Sequence, residues 1–375
     1  MTAPTVLLTL GRLPKALDLA RGFAAAGCRV IVAEPFRRHL AGASRAVERS
    51  IVVPPPSAGK TAYLDALTAV IEREGVDLVV PVSEETMHVA FLKARQPGVA
   101  VFTMPPEAVI PLHDKAGFIR QARRCGLDAP ETHRLGSAEA ERMAAARDVI
   151  VKPVFSCAGR GVAIVRRGQA LPDAQAAAVV QAFTPGQEHS TCTLARDGRA
   201  LSTVVYRGTI MSGTVACAFE RVEHPAIEAW VARFVAAVRW TGFIAFDIIV
   251  DADGQPHGIE CNPRSTSGVH FWEPLDVARA VLGETGAIRF RPERTLQQFY
   301  SCLTEAQKAI GRPGFGARLA ALWRTRDATW DRRDPAPFLT MTFTSWRIIR
   351  MALARRTTFG EVATLDVGWY EDAPE

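Results

Sequence analysis

The sequence predicts α/β structure followed by α+β structure. A leading sheet covered on both faces comes first, then a two-part middle rich in antiparallel strands, then a mostly helical C-terminal segment. Three observations carry this. The first hundred residues alternate short apolar runs with helical spacing, the pattern of a buried parallel sheet. The middle alternates strand-length runs with turn dipeptides such as Asp197-Gly198 and Asp253-Gly254. Beyond about Ile288 the pattern becomes amphipathic and helical. At 375 residues the chain exceeds one compact core.

TVLLTL (5–10), RVIVAEP (29–35) and VDLVVPVS (76–83) read as buried strands, separated by helices over 16–28 and 63–75. This is a Rossmann-like unit over residues 1–105. It lacks the dinucleotide fingerprint, because LGRLPKA after the first strand has one glycine where G-x-G-x-x-G needs three. PPPSAGKTA (54–62) imitates the tail of a phosphate loop, but Pro54 stands where its first glycine belongs. Three consecutive prolines offer a phosphate no N–H groups, so a stiff loop is expected there. MPPEAV (104–109) reads as a turn and HDKAGFIRQARRCGLDAPE (113–131) as a helix. DVIVKPVFSCAGRGVAIVRR (148–167) reads as strand, glycine loop and strand, in a unit spanning 106–180. A second unit, 181–287, holds antiparallel strands and a helix over 228–242, and residues 288–375 form the helical remainder.

Composition narrows the class. With 48% hydrophobic and 22% charged residues the chain reads as an ordinary soluble protein. No apolar run reaches a bilayer span, and MTAPTVLLTL lacks the features of a signal peptide, so a cytoplasmic location is expected. The seven cysteines show no CxxC pair or zinc spacing. The net charge of +6 is concentrated at 318–356, where nine arginines face three aspartates. Aromatics do not alternate with them as a base-stacking platform would require, so neither a nucleic-acid nor a membrane partner is expected.

The sharpest signal is FIAFDIIVDADGQPHGIECN (243–262). If Asp253-Gly254 is a two-residue turn, Asp247 lies opposite Glu260, Phe246 opposite Cys261 and Ile248 opposite Ile259. Strand alternation then puts Asp247, Glu260 and Asn262 on one face and apolar residues on the other. Facing carboxylates repel, and an oxygen-ligated cation such as Mg²⁺ relieves that repulsion. Upstream, Lys152 sits inside an apolar strand, where an ammonium is costly without an anion. The following loop, Ser156 to Gly161, is small enough to curl over phosphate oxygens, although alone it equally suits a plain hairpin turn.

These residues, in this order, resemble the ATP-grasp family of carboxylate–amine ligases over roughly residues 5–285. The resemblance implies a two-subdomain ATP-grasp fold with ATP between the subdomains. Lys115 and Lys152 would contact phosphates or the adenine pocket, and the loop carrying Ser156, Gly159 and Gly161 would close over the phosphates. Gln181, Ala182, Phe183 and Thr184 would form the adenine hinge, and Glu188 would hold the ribose. Asp247, Glu260 and Asn262 would bind one or two Mg²⁺, for which Mn²⁺ can substitute, and Arg264 would stabilise the transferred phosphoryl group. Two departures stand out: Gln181, where the family usually has glutamate, and Asp247, often Gln or Glu in relatives.

The implied reaction joins a small carboxylic acid, an amino acid in the first instance, to an amine through an acyl phosphate, releasing ADP and phosphate. Bicarbonate is an alternative acid, and an idle nucleotide-binding module is a reading from a different class. For the substrate, Arg264, Ser265, Ser267, Gly268 and His270 could bind a carboxylate, or the run could be a simple turn. Arg207 and Arg221 could meet an anion or lie on the surface. Glu84 could receive an ammonium or cap the next helix. The region beyond 288 lies outside the match; covering the site, supplying arginines and forming a homodimer contact all remain open.

Overall fold

The computed structural model describes residues 3–155, 161–173, 177–311 and 313–369. Its first sheet is built on β1 (Thr5–Leu8), whose Val6, Leu7 and Leu8 have no exposed surface. β2 (Arg29–Glu34), β3 (Arg49–Val52), β4 (Leu78–Val80) and β5 (Ala100–Val101) join it in parallel, in the order β3-β2-β1-β4-β5. The sequence shows three of these strands. The missing two are the edges: β3 is mostly exposed and β5 has two residues, so neither writes an apolar run. PPPSAGKTA is a 3₁₀ turn, Pro56–Ala58, before a helix that starts at Lys60.

A second, antiparallel sheet contains β6 (Thr132–Arg134), β7 (Val149–Pro153), β8 (Ala163–Val165) and β9 (Ala178–Ala182), in the order β6-β9-β7-β8. Two helices precede it, and both differ from the sequence reading. Pro106–His113 is a helix rather than a turn, because proline is well suited to its first position. The next helix runs only over Lys115–Arg124, and the Asp114 side chain caps it by accepting from the N–H groups of Ala116 and Gly117.

The third sheet has seven strands. They are β10 (Gln187–Arg196), β11 (Arg199–Ser212), β12 (Val215–Val222), β13 (Gly242–Val250), β14 (Pro256–Asn262), β15 (Thr295–Gln297) and β16 (Arg326–Asp327). Their order is β14-β13-β10-β11-β12-β15-β16. Its last two strands come from the C-terminal region, which is otherwise helical, and are too short to show a period. The leading sheet and this sheet share an apolar core in which Leu8, Val80 and Phe102 join Tyr206, Phe219 and Phe271.

Two Asp-Gly pairs behave differently. Asp197 and Gly198 both take positive φ and close β10–β11 as a two-residue turn, with Arg196 opposite Arg199. Asp253-Gly254 lies in a five-residue loop, 251–255, with Val250 opposite Pro256. The Asp251 carboxylate organises this loop by accepting from the N–H groups of Asp253 and Gln255. The expected pairing of Ile248 with Ile259 therefore fails, and Ile248 faces Gly258. A bulge at Ile259 restores the count, so Asp247 still faces Glu260 and Phe246 faces Cys261. Gly258 is fixed by space, since a Cβ there would come within 2.6 Å of the Trp230 ring.

Candidate active site

One cleft of about 1150 Å³ runs between all three sheets and the C-terminal helices. Asp247, Glu260, Asn262, Lys152, Glu188, Arg264 and Glu84 all line it. The geometry of each follows from the strand or helix that carries it.

β7 delivers Lys152, 5% exposed, and its Nζ donates to Gln181 Oε1 at 2.9 Å. Gln181 is equally buried, on β9. Its Nε2 donates to the Thr132 hydroxyl at 3.2 Å and to the Ile259 carbonyl at 3.3 Å. That carbonyl belongs to the bulge residue, so the irregularity in the hairpin is what bolts the small sheet to the large one. Burial lowers the Lys152 ammonium below its ordinary range, against the pull of Glu260, Asp247 and Glu188. Lys115, at the start of its helix and almost fully buried, reaches Glu260 Oε1 at 3.3 Å.

Asp247 accepts from the Ser190 hydroxyl at 2.8 Å and from Asn262 Nδ2 at 3.2 Å. Burial, then the charges of Glu260 and Glu188, push its carboxyl up to about 7. Asp247 and Glu260 thus face each other across the hairpin, with Lys115 paired to Glu260. Among the described residues no three His, Cys, Asp or Glu side chains converge as a ready metal cage. The donor set is two carboxylates and one amide, and the amide oxygen of Asn262 is engaged by Arg264 at 2.9 Å.

Arg264 is the hub of a buried network that the sequence only half reveals. It forms an ion pair with Glu84 and donates to the Ser265 carbonyl at 3.2 Å. Glu84 is 2% exposed. Burial would raise its carboxyl, but Arg264, His113 and Lys15 outweigh that and hold it below its ordinary value. It therefore caps no helix; it anchors Arg264 from the leading sheet. Lys15, which sequence reading misses, also lines the cleft and donates to the Ser265 carbonyl at 2.7 Å. Burial and then the Arg264 charge lower its ammonium to about 7, against Glu85 and Glu84. Its position just past β1 was the available signal, since ligands of parallel sheets sit at the carboxyl ends of strands.

The remaining predicted residues divide. Ser267 and His270 line the cleft, although His270 Nδ1 is held by Asp18 at 2.6 Å, and Asp18 also binds Arg291 at 2.9 Å. Ser265 is fully buried and donates to the Val82 carbonyl. Gly268 leaves room for Cys192, which a Cβ there would approach to 2.5 Å. Arg207 lines the cleft paired with Glu220 at 2.7 Å, whereas Arg221 stacks over Phe290. Phe183 and Thr184 line the end near Ile150, Val162, Ile249 and Ile259. The N–H groups of Ala182 and Phe183 are spent on the carbonyls of Glu131 and Asp148. Gly161 takes positive φ, and a Cβ there would press on Pro153. Ser156 and Gly159 lie outside the described residues. No arginine of 318–356 lines the cleft; that region instead supplies Met341, Ser345, Ile348 and Ile349, and Phe359 follows just beyond it.

A family model described as an ATP-grasp domain matches residues 112–268. The chain contains an ATP-grasp domain. Solved structures agree on the fold. N5-carboxyaminoimidazole synthetase from Staphylococcus aureus is 13% identical, with TM-score 0.60 and coverage of 77% of this chain and 82% of that one. L-amino acid ligase from Bacillus licheniformis is 18% identical, with TM-score 0.61 and 79% of each chain covered. The biotin carboxylase domain of Hydrogenobacter thermophilus 2-oxoglutarate carboxylase, in complex with MgADP and bicarbonate, is 17% identical. Its TM-score is 0.59, over 78% of this chain and 73% of that one. At these identities the likeness is one of fold. No curated protein matches the chain by sequence. The ATP-grasp match spans β6 to β14, so the hairpin and both lysines lie inside it and Lys15, Glu84 and the C-terminal wall lie outside.

Proposed function

We propose that this ATP-grasp protein is an ATP-dependent ligase that activates a small carboxylic acid as an acyl phosphate and transfers it to an amine. The observation that carries the reading is the convergence of Lys152 and Arg264 with Asp247 and Glu260 on one cleft, with Lys115 paired to Glu260 behind it. Adenine would lie against Ile150, Val162, Phe183 and Ile259, which line the cleft, and Glu188 would hold the ribose. Gln181 acts by fixing Lys152, its oxygen being already engaged.

The charge balance fits a divalent cation. Asp247 and Glu260 are hard oxygen donors, and the raised Asp247 carboxyl reflects burial and the neighbouring charges of Glu260 and Glu188. They would hold Mg²⁺, joined by Asn262 once Arg264 releases its amide. Such an ion supplies neutralisation of phosphate charge. The protein's own groups do the rest. Lys115 and Lys152 hold phosphate oxygens, and Arg264, braced by Glu84, meets the charge that spreads over the phosphoryl group in transfer. A carboxylate oxygen attacks the γ-phosphorus, the bond to ADP breaks, and the amine then displaces phosphate from the acyl carbon. No side-chain nucleophile is required.

Phe219, Met341, Ile348, Ile349 and Phe359 make the far end of the cleft largely apolar. That favours an acid or amine with an aliphatic or aromatic body over bicarbonate alone. Phosphorus NMR with ATP, Mg²⁺ and a mixed pool of amino acids and carboxylic acids tests the proposal. ADP and phosphate forming only with the pool is the expected result; AMP and pyrophosphate would overturn the acyl-phosphate route.

A further inference from the structure

Residues 336–356 contain no aspartate or glutamate. They form successive helical turns, Ala336–Leu339, Met341–Thr344 and Trp346–Arg355. The chain turns between them at Thr340 (φ −97°, ψ 6°) and Ser345 (φ −98°, ψ 6°), which leave the helical region. One side is inward: Ile348 and Ala352, a turn apart, pack with Phe36 and Val362. The outward side is apolar as well. Leu339, Phe343, Trp346 and Leu353 are 64%, 68%, 53% and 70% exposed. Phe343 and Trp346 border one groove, with Leu339 and Leu353 exposed on the turns to either side of it. Single exposed apolar residues are ordinary on a protein surface, but a patch of large ones marks an interaction site.

Basic residues frame the patch. Arg347, Arg350, Arg355 and Arg356 come from the same segment and are exposed. Arg37 and Arg38, also exposed, join Phe343 and Trp346 around a shallow groove of about 530 Å³. Among the described residues none of these six arginines has a carboxylate partner.

We propose that this face docks on an anionic lipid surface. A helical segment lying in the headgroup layer needs aromatic and aliphatic side chains to enter the acyl boundary, and arginines beside them to meet phosphate oxygens. The segment has both and no charge that anionic lipid would repel. A second copy of the chain fits less well, because a two-fold contact would set arginines against arginines. Nucleic acid also fits less well, because Leu339 and Leu353 offer bases no π-face. No helix of the described residues is long and apolar enough to cross a membrane, so the proposed contact is peripheral. The inference stands independently of the proposed ligase reaction.

Sedimentation of the full chain with sucrose-loaded vesicles tests it, comparing phosphatidylglycerol/phosphatidylcholine mixtures with phosphatidylcholine alone. The expected result is predominant binding to the anionic vesicles at low salt. Partition should fall at least tenfold on neutral vesicles or at high salt. Phe343→Glu and Leu353→Glu, both at exposed positions, should each reduce partition at least tenfold while leaving the melting temperature and MgATP binding unchanged. Arg350→Glu provides an independent reading of the charge. Equal binding to neutral and anionic vesicles, or equal binding by wild type and all three variants, would overturn the proposal. So would absence of vesicle binding together with Leu353-dependent dimerisation or oligonucleotide binding.

Discussion

Replacing Lys15 with methionine should stabilise the protein near neutrality and change how its stability responds to pH. Lys15 is 7% exposed, and its ammonium is lowered from 10.5 to about 7 in the folded chain. Between those values the unfolded chain binds more protons than the folded one, so stability rises as pH rises through that window. Below pH 7 the penalty for burying the charge is complete, and above 10.5 it is absent. The difference of about 3.5 pH units corresponds to about 5 kcal/mol. Methionine fills a similar volume and removes the charge, but it forfeits the bond to the Ser265 carbonyl, worth about 1 kcal/mol since Arg264 still donates there. The net gain at pH 6 is therefore about 4 kcal/mol, or roughly 5 °C in melting temperature for a cooperative transition of this size. By pH 10 the penalty has shrunk to about 1 kcal/mol, which offsets the lost bond, so variant and wild type should be nearly equally stable. Thermal melts at the two pH values measure this directly. Parallel pH profiles for variant and wild type would refute the reasoning, because they would mean that Lys15 is not carrying the linkage.

Three further outcomes follow from the site. Glu84→Ala removes one partner of the buried Arg264 pair and should cost about 3–5 kcal/mol in a urea titration, with Glu84→Gln intermediate. Gln181→Leu leaves Lys152 without its acceptor; we expect a loss of about 2 kcal/mol in melts and at least a tenfold weaker affinity for MgADP by calorimetry. Glu260→Gln removes a like charge from Asp247 and the partner of Lys115. It should weaken MgADP binding at least tenfold and shift the Asp247 carboxyl below about 7, read by carbon NMR of the labelled side chain.

The acidic face was legible because strands write their faces at period two, and Asp247, Glu260 and Asn262 follow that rule within a single hairpin. The loop length was misread by three residues, yet the bulge at Ile259 returned the register before Asp247 was reached. Lys152 was legible as a charge in an apolar run. Its partner Gln181 was assigned to adenine, because the contact depends on how two strands of the small sheet pair rather than on either strand alone. Glu84 and Arg264 are 180 residues apart, and Lys15 meets Ser265 across 250. Those contacts exist only after two sheets dock, and no local pattern encodes docking. The C-terminal strands escaped notice for a simpler reason: with three and two residues they show no period at all.

Arg12 has a consequence for the order in which the site comes into being. Its guanidinium joins Glu34, on β2, to Asp366, near the far end of the chain, with distances of 2.8 and 2.6 Å. Trp369 lies against His88 and Phe91 in the same way. The floor of the cleft is thus synthesised first and its wall last. The cleft is therefore closed on this side only once Asp366 has reached Arg12.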